Sequence, residues 1–346
     1  MVFASDNSGP VHPQILQAVV DANEGYAMGY GADPIMDGVR ARLREIFEAP
    51  DAAVYLVATG TAANVLGLAT ITAPWQTLFC TPMSHINVDE CNGPEFYTGG
   101  AKLTVVGREH KMSPEALEAA IRAEETRGVH GPQRGPLSVT QATEGGGVYS
   151  LHHLRALTAV ARRYGLPVHL DGARFTNALV ALGCSAADMT WKAGVDVVSF
   201  GATKNGAMGV EAVIFFDPAR AWEFELRRKR GAHLFSKHRY LSAQMAGYLE
   251  NDLWLDMARA ANASARTLAD GIVARGGTLA YETEANMVFA SFARRTHQKL
   301  FAAGAAYYMA DGSSLEGEDP EEPLTARFVC DWQDRDAAIA EFLSHF

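Results

Sequence analysis

The stretch LPVHLDGARFTNALVALGCSAADMTWKAGVDVVSFGATKNG, residues 166–206, decides the fold. Its apolar runs at 166–170 and 195–200 read as buried strands, and the pattern over 175–182 reads as a helix between them. A strand–helix–strand unit of this kind brings the second strand back parallel to the first. Asp171 closes the first strand, and Lys204 stands in a turn of small residues after the second. Both side chains then emerge on one carboxyl edge, where open parallel sheets place their ligand crevice.

Outward from this unit the same alternation continues. Helices are expected over 34–48, 62–71, 113–127 and 151–164, where apolar residues recur at helical spacing. Strands are expected over 53–57, 103–106, 137–141 and 212–216, with a loop at 129–136. From Phe224 the character changes, and Arg227, Arg228, Lys229, Arg230, Lys237 and Arg239 form a basic cluster. One long helix is expected over 242–275, then strands at 278–281, 287–292 and 327–330 and helices at 295–302 and 335–345. The fold class is therefore α/β: a large, mostly parallel sheet with helices on both faces over 1–250, and a smaller C-terminal α/β domain over 251–346.

Composition excludes several functions. The chain has 346 residues and a formal net charge of −10, with no basic arm to grip a nucleic-acid backbone. Its apolar runs are strand-length, short of a membrane span, and no basic-then-apolar leader opens it. Cys80, Cys91, Cys184 and Cys330 are scattered without a C-x-x-C, which reads as a reduced, cytoplasmic chain. Six acidic residues without a basic one lie in 311–323 (Asp311, Glu316, Glu318, Asp319, Glu321 and Glu322), a solvated loop rather than a ligand site.

Four short segments carry chemistry. Asp171 alone reads as readily as a helix cap, and Lys204 alone as a loop lysine. Together on one sheet edge they supply a carboxylate and a candidate Schiff-base amine. Thr59-Gly60-Thr61, between a strand and a helix, offers amides and hydroxyls to a phosphate, or else simply caps the helix. It lacks the G-x-G-x-x-G of a dinucleotide site. His85, after an apolar stretch, is either a structural histidine or a flat group that stacks on an aromatic cofactor. The remaining histidines do not cluster as metal ligands, so no metal is expected. A phosphate cradle, a flat histidine, a carboxylate and a lysine are the protein-side needs of pyridoxal phosphate.

With these residues the chain resembles the L-threonine aldolase family, pyridoxal-phosphate enzymes of the aspartate-aminotransferase fold type (fold type I). The resemblance rests on Ser5-Asp6-Asn7, Tyr30-Gly31-Ala32-Asp33-Pro34, Thr59-Gly60-Thr61-Ala62-Ala63-Asn64, Ser84-His85 with Glu90, His169-Leu170-Asp171-Gly172-Ala173-Arg174 and Thr203-Lys204-Asn205-Gly206. Gln141-Ala142-Thr143-Glu144 and Trp191-Lys192-Ala193-Gly194 resemble a bacterial low-specificity branch. The resemblance implies that Lys204 carries the cofactor, Asp171 holds the pyridine nitrogen protonated, His85 stacks on the ring and Gly60 and Thr61 bind phosphate. It places Arg174 beside cofactor and substrate, and Ser5 and Arg327 on the substrate carboxylate. Tyr30 would act across a subunit interface, and Lys237 or Arg239 would touch the neighbouring subunit's cofactor phosphate, in a homotetramer of dimers that share active sites. Where many members carry a histidine near the substrate hydroxyl, this chain has Thr143, which cannot act as a base near neutral pH. His85, or a water held by Thr143 or Glu144, is then the candidate base.

The implied reaction is aldol cleavage of L-threonine, L-allo-threonine or a related β-hydroxy-α-amino acid such as phenylserine, to glycine and an aldehyde. A β-eliminating lyase or an amino-acid racemase on the same scaffold is the alternative, since the bond set perpendicular to the cofactor ring selects the outcome. A nucleotide-binding oxidoreductase would leave Asp171 and Lys204 idle, and a non-catalytic cofactor carrier would leave Arg327 without a purpose.

Overall fold

The computed structural model describes residues 1–310, 312–333 and 335–346, so Asp311 of the acidic segment lies outside it. Seven strands form the main sheet: β1 (Ala53–Val57), β2 (Gln76–Cys80), β3 (Lys102–Val105), β4 (Gln133–Thr140), β5 (Val168–Gly172), β6 (Val197–Gly201) and β7 (Glu211–Phe215). Their order is β1-β7-β6-β5-β4-β2-β3. The pairs from β6 through to β3 are parallel, and only β7 runs against its neighbours β6 and β1. The chain thus has the expected α/β architecture with a mostly parallel sheet.

Helices cover both faces because the strands are apolar on both. On one face Phe47, Phe175, Phe200, Tyr248 and Trp254 form a connected aromatic core. On the other lies the helix Gly60–Ile71, whose residues from Ala62 to Ile71 are all buried. The helix Pro34–Ile46 starts where its sequence says it should. Asp33 caps it by accepting the Met36 amide at 2.9 Å, Pro34 occupies the first turn, and Met36, Val39 and Leu43 face inward.

A second, wholly antiparallel sheet follows in the order β10-β11-β9-β8, built from β8 (Thr278–Leu279), β9 (Met287–Ala293), β10 (Tyr308–Met309) and β11 (Pro323–Val329). Its core gathers Leu268, Ile272, Phe292, Phe328 and Phe342, and also Phe3 from the start of the chain. The Phe3 amide donates to the Ala306 carbonyl at 2.7 Å and its carbonyl accepts from Val329 at 2.8 Å. No helix among the described residues is long and apolar enough to cross a membrane.

Two local expectations are corrected. The helix expected over 242–275 is two, Arg239–Leu249 and Leu253–Val273, because Asn251 and Asp252 adopt φ of +51° and +58° between them. The second of these packs on the helix Phe175–Leu182 as well as on β9, so it serves both sheets. The segment 129–136, expected as loop, contains the start of β4, since Gln133 and Arg134 pair with Gln76 and Thr77. Their polar side chains sit at the sheet's amino edge, where a strand need not alternate.

The carboxyl ends of β5 and β6 come together at glycines. A Cβ on Gly201 would lie 2.5–2.8 Å from backbone atoms of Ala173. We predict that Gly201→Ala forces these two turns apart and lowers stability by about 1–3 kcal/mol. Urea unfolding measures the loss, and an unchanged midpoint would show that the turns can yield.

Candidate active site

A cavity of about 360 Å³ opens at the carboxyl edge of the parallel strands, and Thr61, Asn64, His85, Asp171, Lys204 and Glu211 are among the residues that line it. The strand ends thus bring together residues far apart in the chain.

The turn after β1 forms one wall. Thr59 caps the helix Gly60–Ile71, its hydroxyl accepting the Ala62 amide at 3.1 Å. The amides of Gly60 and Thr61, in the first turn, have no partner within the helix. No atom lies within 4 Å of where a Gly60 Cβ would stand, so the space beside this helix start is open. This is the geometry of a helix N-terminus that takes an anion.

Asp171 leaves the end of β5 almost wholly buried. Its Oδ1 accepts the Ala173 amide at 3.0 Å and its Oδ2 accepts from the Asn64 side chain at 2.9 Å. The same Asn64 amide group donates to Glu90 at 2.9 Å, and Glu90 meets His85 Nδ1 at 2.8 Å. The hydrogen bond that the ring N–H donates to Glu90 raises the His85 pKa above its ordinary value, against the lowering effect of burial. Lys204 projects from the short turn Thr203–Asn205 after β6. Asn205 anchors that turn from behind, donating to the Tyr248 hydroxyl and the Trp254 carbonyl, each at 2.9 Å.

Arg174 is buried and already paired. Its Nε and Nη2 donate to the two oxygens of Asp6 at 2.7 and 3.0 Å, and Asn286 adds a bond to Asp6 at 3.1 Å. Its Nη1 lies 4.0 Å from Glu144. Arg327 stands on β11 and lines a neighbouring cavity of about 510 Å³ together with Glu144 and Tyr308. Its Nη2 donates to the Ala4 carbonyl at 3.2 Å, while its buried Nε has no partner. Ser5 lies between Ala4 and Asp6 and caps the short turn Asp6–Ser8.

Thr143 does not line either cavity. Its hydroxyl lies 2.7 Å from His110 Nδ1 and bonds to the amide and carbonyl of Gly147. It is spent on holding the turn that carries Glu144. Tyr30 is half exposed with φ of +60° and lies under the Lys229 ammonium. Lys237 is exposed, and Arg239 donates to the Glu24 and Gly25 carbonyls. These three lie outside both cavities of the single chain. Among the described residues, no group of three His, Cys, Asp or Glu side chains is placed to hold a metal ion.

Sequence reasoning left Asp6, Asn64, Glu90, His110 and Glu211 without roles. Asp6, Asn64 and Glu90 fall inside or beside quoted motifs. Glu211 had a signal of its own, a lone glutamate opening an otherwise apolar strand. Nothing in the chain's order links His110 to Thr143.

We predict that Glu90→Gln lowers the His85 titration midpoint. A histidine-resolved NMR titration measures it, and an unmoved midpoint would remove Glu90 as the cause.

The beta-eliminating lyase family model matches residues 3–295. A low-specificity L-threonine aldolase from Pseudomonas aeruginosa is 38% identical over 333 residues, covering 95% of this chain and 92% of the relative. Among solved structures, a threonine aldolase from Leishmania major superposes with a TM-score of 0.91 at 24% identity, covering 99% of this chain and 97% of the other. A serine palmitoyltransferase from S. paucimobilis, solved with PLP and myriocin bound, shares the fold at a TM-score of 0.68 and 18% identity, covering 100% of this chain and 86% of the other. With the site at the strand ends and relatives matched over nearly their whole length, the chain belongs to the beta-eliminating lyase family, in its threonine aldolase branch, and is a lyase.

Proposed function

We propose that the protein cleaves L-threonine, L-allo-threonine and related β-hydroxy-α-amino acids such as phenylserine to glycine and an aldehyde, with pyridoxal phosphate held on Lys204. The observation that carries this reading is the convergence of Lys204, Asp171, His85 and the Gly60–Thr61 amides on one cavity. Those donors fit the cofactor's chemistry: free amides for a phosphate, a carboxylate for a pyridinium and a primary amine for an aldehyde. When bound, the cofactor supplies an electron sink for the pair released as the Cα–Cβ bond breaks.

The protein's residues do the rest. Asp171 keeps the ring nitrogen protonated through a charge-assisted hydrogen bond, and Asn64 and the Ala173 amide fix its orientation. His85, oriented by Glu90, would stack on the ring. Arg327, with an unpartnered buried Nε, receives the substrate carboxylate, with Ser5 beside it. Arg174 supports that site with a charge already balanced by Asp6. Two groups are candidates to take the β-hydroxyl proton: His85, drawn toward its cationic form by Glu90, and Glu144, reached through a water that passes the proton on to the carboxylate.

The protein works as a cytoplasmic homo-oligomer. Tyr26, Met28, Tyr30 and Phe96 are exposed apolar side chains that a second copy would cover. In it Tyr30 and either Lys237 or Arg239 reach the neighbouring subunit's site. The 1–250 and 251–346 segments dock around that site.

Lys204→Ala is expected to abolish both turnover and the visible absorbance of the bound cofactor, and retention of either would overturn the assignment. Aldehyde and glycine should appear in equal amounts from L-threonine, L-allo-threonine or L-phenylserine. A keto acid with ammonia would mean β-elimination instead, and loss of optical activity alone would mean racemisation. Arg327→Ala should raise KM by about 10- to 100-fold, the worth of one or two charged hydrogen bonds.

A further inference from the structure

β7 reads EAVIF, and its first residue is a buried glutamate at the head of an apolar strand. Because β7 runs against its neighbours, its start lies level with their ends. Glu211 pairs with Gly201 of β6 on one side and with Val57 of β1 on the other. Gly201 leads into the Lys204 turn, and Val57 leads into Thr59-Gly60-Thr61. The topology therefore inserts one carboxyl group between the lysine and the phosphate cradle, and its side chain lines the cavity with both.

Glu211 grips the lysine turn directly. Its Oε2 accepts the Ala202 amide at 2.7 Å. The hydroxyl and amide of Thr203, the residue before Lys204, also stabilise its charge. Thr203 Oγ1 accepts in turn from the Val210 amide at 3.1 Å, so the residues before Lys204 and before Glu211 are tied together. A carboxyl group in this apolar strand is costly, and an aliphatic side chain would bury more favourably. What it supplies instead is an acceptor for the turn and a charge near the amine.

We propose that Glu211 is a positioning residue for Lys204, holding the turn that carries the lysine and placing a negative charge beside its nitrogen. The inference rests on Lys204 being the cofactor lysine. Burial raises the Glu211 pKa to about 7, against the opposing pull of Thr203, Ala202 and the Lys204 charge. Lys204 and Tyr248 face it, the latter a phenol kept neutral by burial, and Asp171 and His85 line the same cavity.

Glu211→Gln keeps an acceptor for the Ala202 amide and removes the charge, whereas Glu211→Ala removes both. In the holoenzyme, the visible absorbance of the lysine-bound cofactor is titrated with pH. Loss of the neighbouring charge disfavours a protonated nitrogen, so the Gln variant should keep its cofactor and titrate about one pH unit lower. The Ala variant should also lose cofactor roughly tenfold faster on dialysis, the loss of one charged contact. The apoprotein gives a readout without cofactor. The folded state holds the Glu211 proton above its ordinary value of 4.5, so wild type loses stability as pH rises from there through about 7. Thermal unfolding of the Gln variant should fall less over the same range. An unshifted absorbance titration in a folded, cofactor-bound Gln variant, beside a colourless Lys204→Ala protein, overturns the Glu211 role alone. A coloured Lys204→Ala protein overturns the lysine assignment and this proposal with it.

Discussion

The buried pair between Asp6 and Arg174 is the interaction on which the site depends. Arg174 follows β5 by two residues, and Asp6 belongs to the chain's first turn, so the pair joins segments 168 residues apart. Burial alone would raise the Asp6 pKa, yet the Arg174 charge and the bonds from Arg174 and Asn286 bring it below its ordinary value. Removing either partner would strand a charge away from water, which costs far more than the pair gains by forming. Its contribution is present above the ordinary carboxylate range and fades as pH falls through the lowered value.

This pair also makes one site from two sheets. Ala4 receives Arg327 from β11, Asp6 receives Arg174 and Asn286, and Asn7 reaches the cavity with Lys204. Upstream, Phe3 is buried in the core of the second sheet. Four residues of the segment 3–7 thus bind the antiparallel sheet to the carboxyl edge of the parallel one. The consequence for recognition is a division of labour between arginines. Arg174 has its charge balanced within the protein, whereas Arg327 keeps a buried donor without a partner.

The parts legible in the sequence were those where one local signal suffices. Apolar runs of strand length around Asp171 and Lys204 revealed the parallel unit, and helical spacing from residue 34 revealed a helix that the structure keeps. Long-range partnerships were not legible. The turn at Asn251 and Asp252 interrupts a continuous helical pattern, because two left-handed residues need no glycine to announce them. Phe3 reads as an ordinary apolar residue near a terminus, and only the finished sheet shows where it goes. Thr143 was legible as a residue unable to act as a base. That its hydroxyl is taken by His110 depends on a contact across 33 positions.

The polar wall of the cavity follows a single logic. Asp171 and Glu90 would repel each other if left adjacent and bare; burial, with the Asp171 charge adding to it, raises the Glu90 pKa. Asn64 answers this by giving one amide hydrogen to each, a bridge that carries no charge. Glu90 then spends its remaining strength on His85, whose imidazole is drawn toward the cationic form. The histidine and the aspartate that line the cavity are therefore not independent. A proton gained or lost at His85 alters Glu90, and through Asn64 the hydrogen bonding of Asp171.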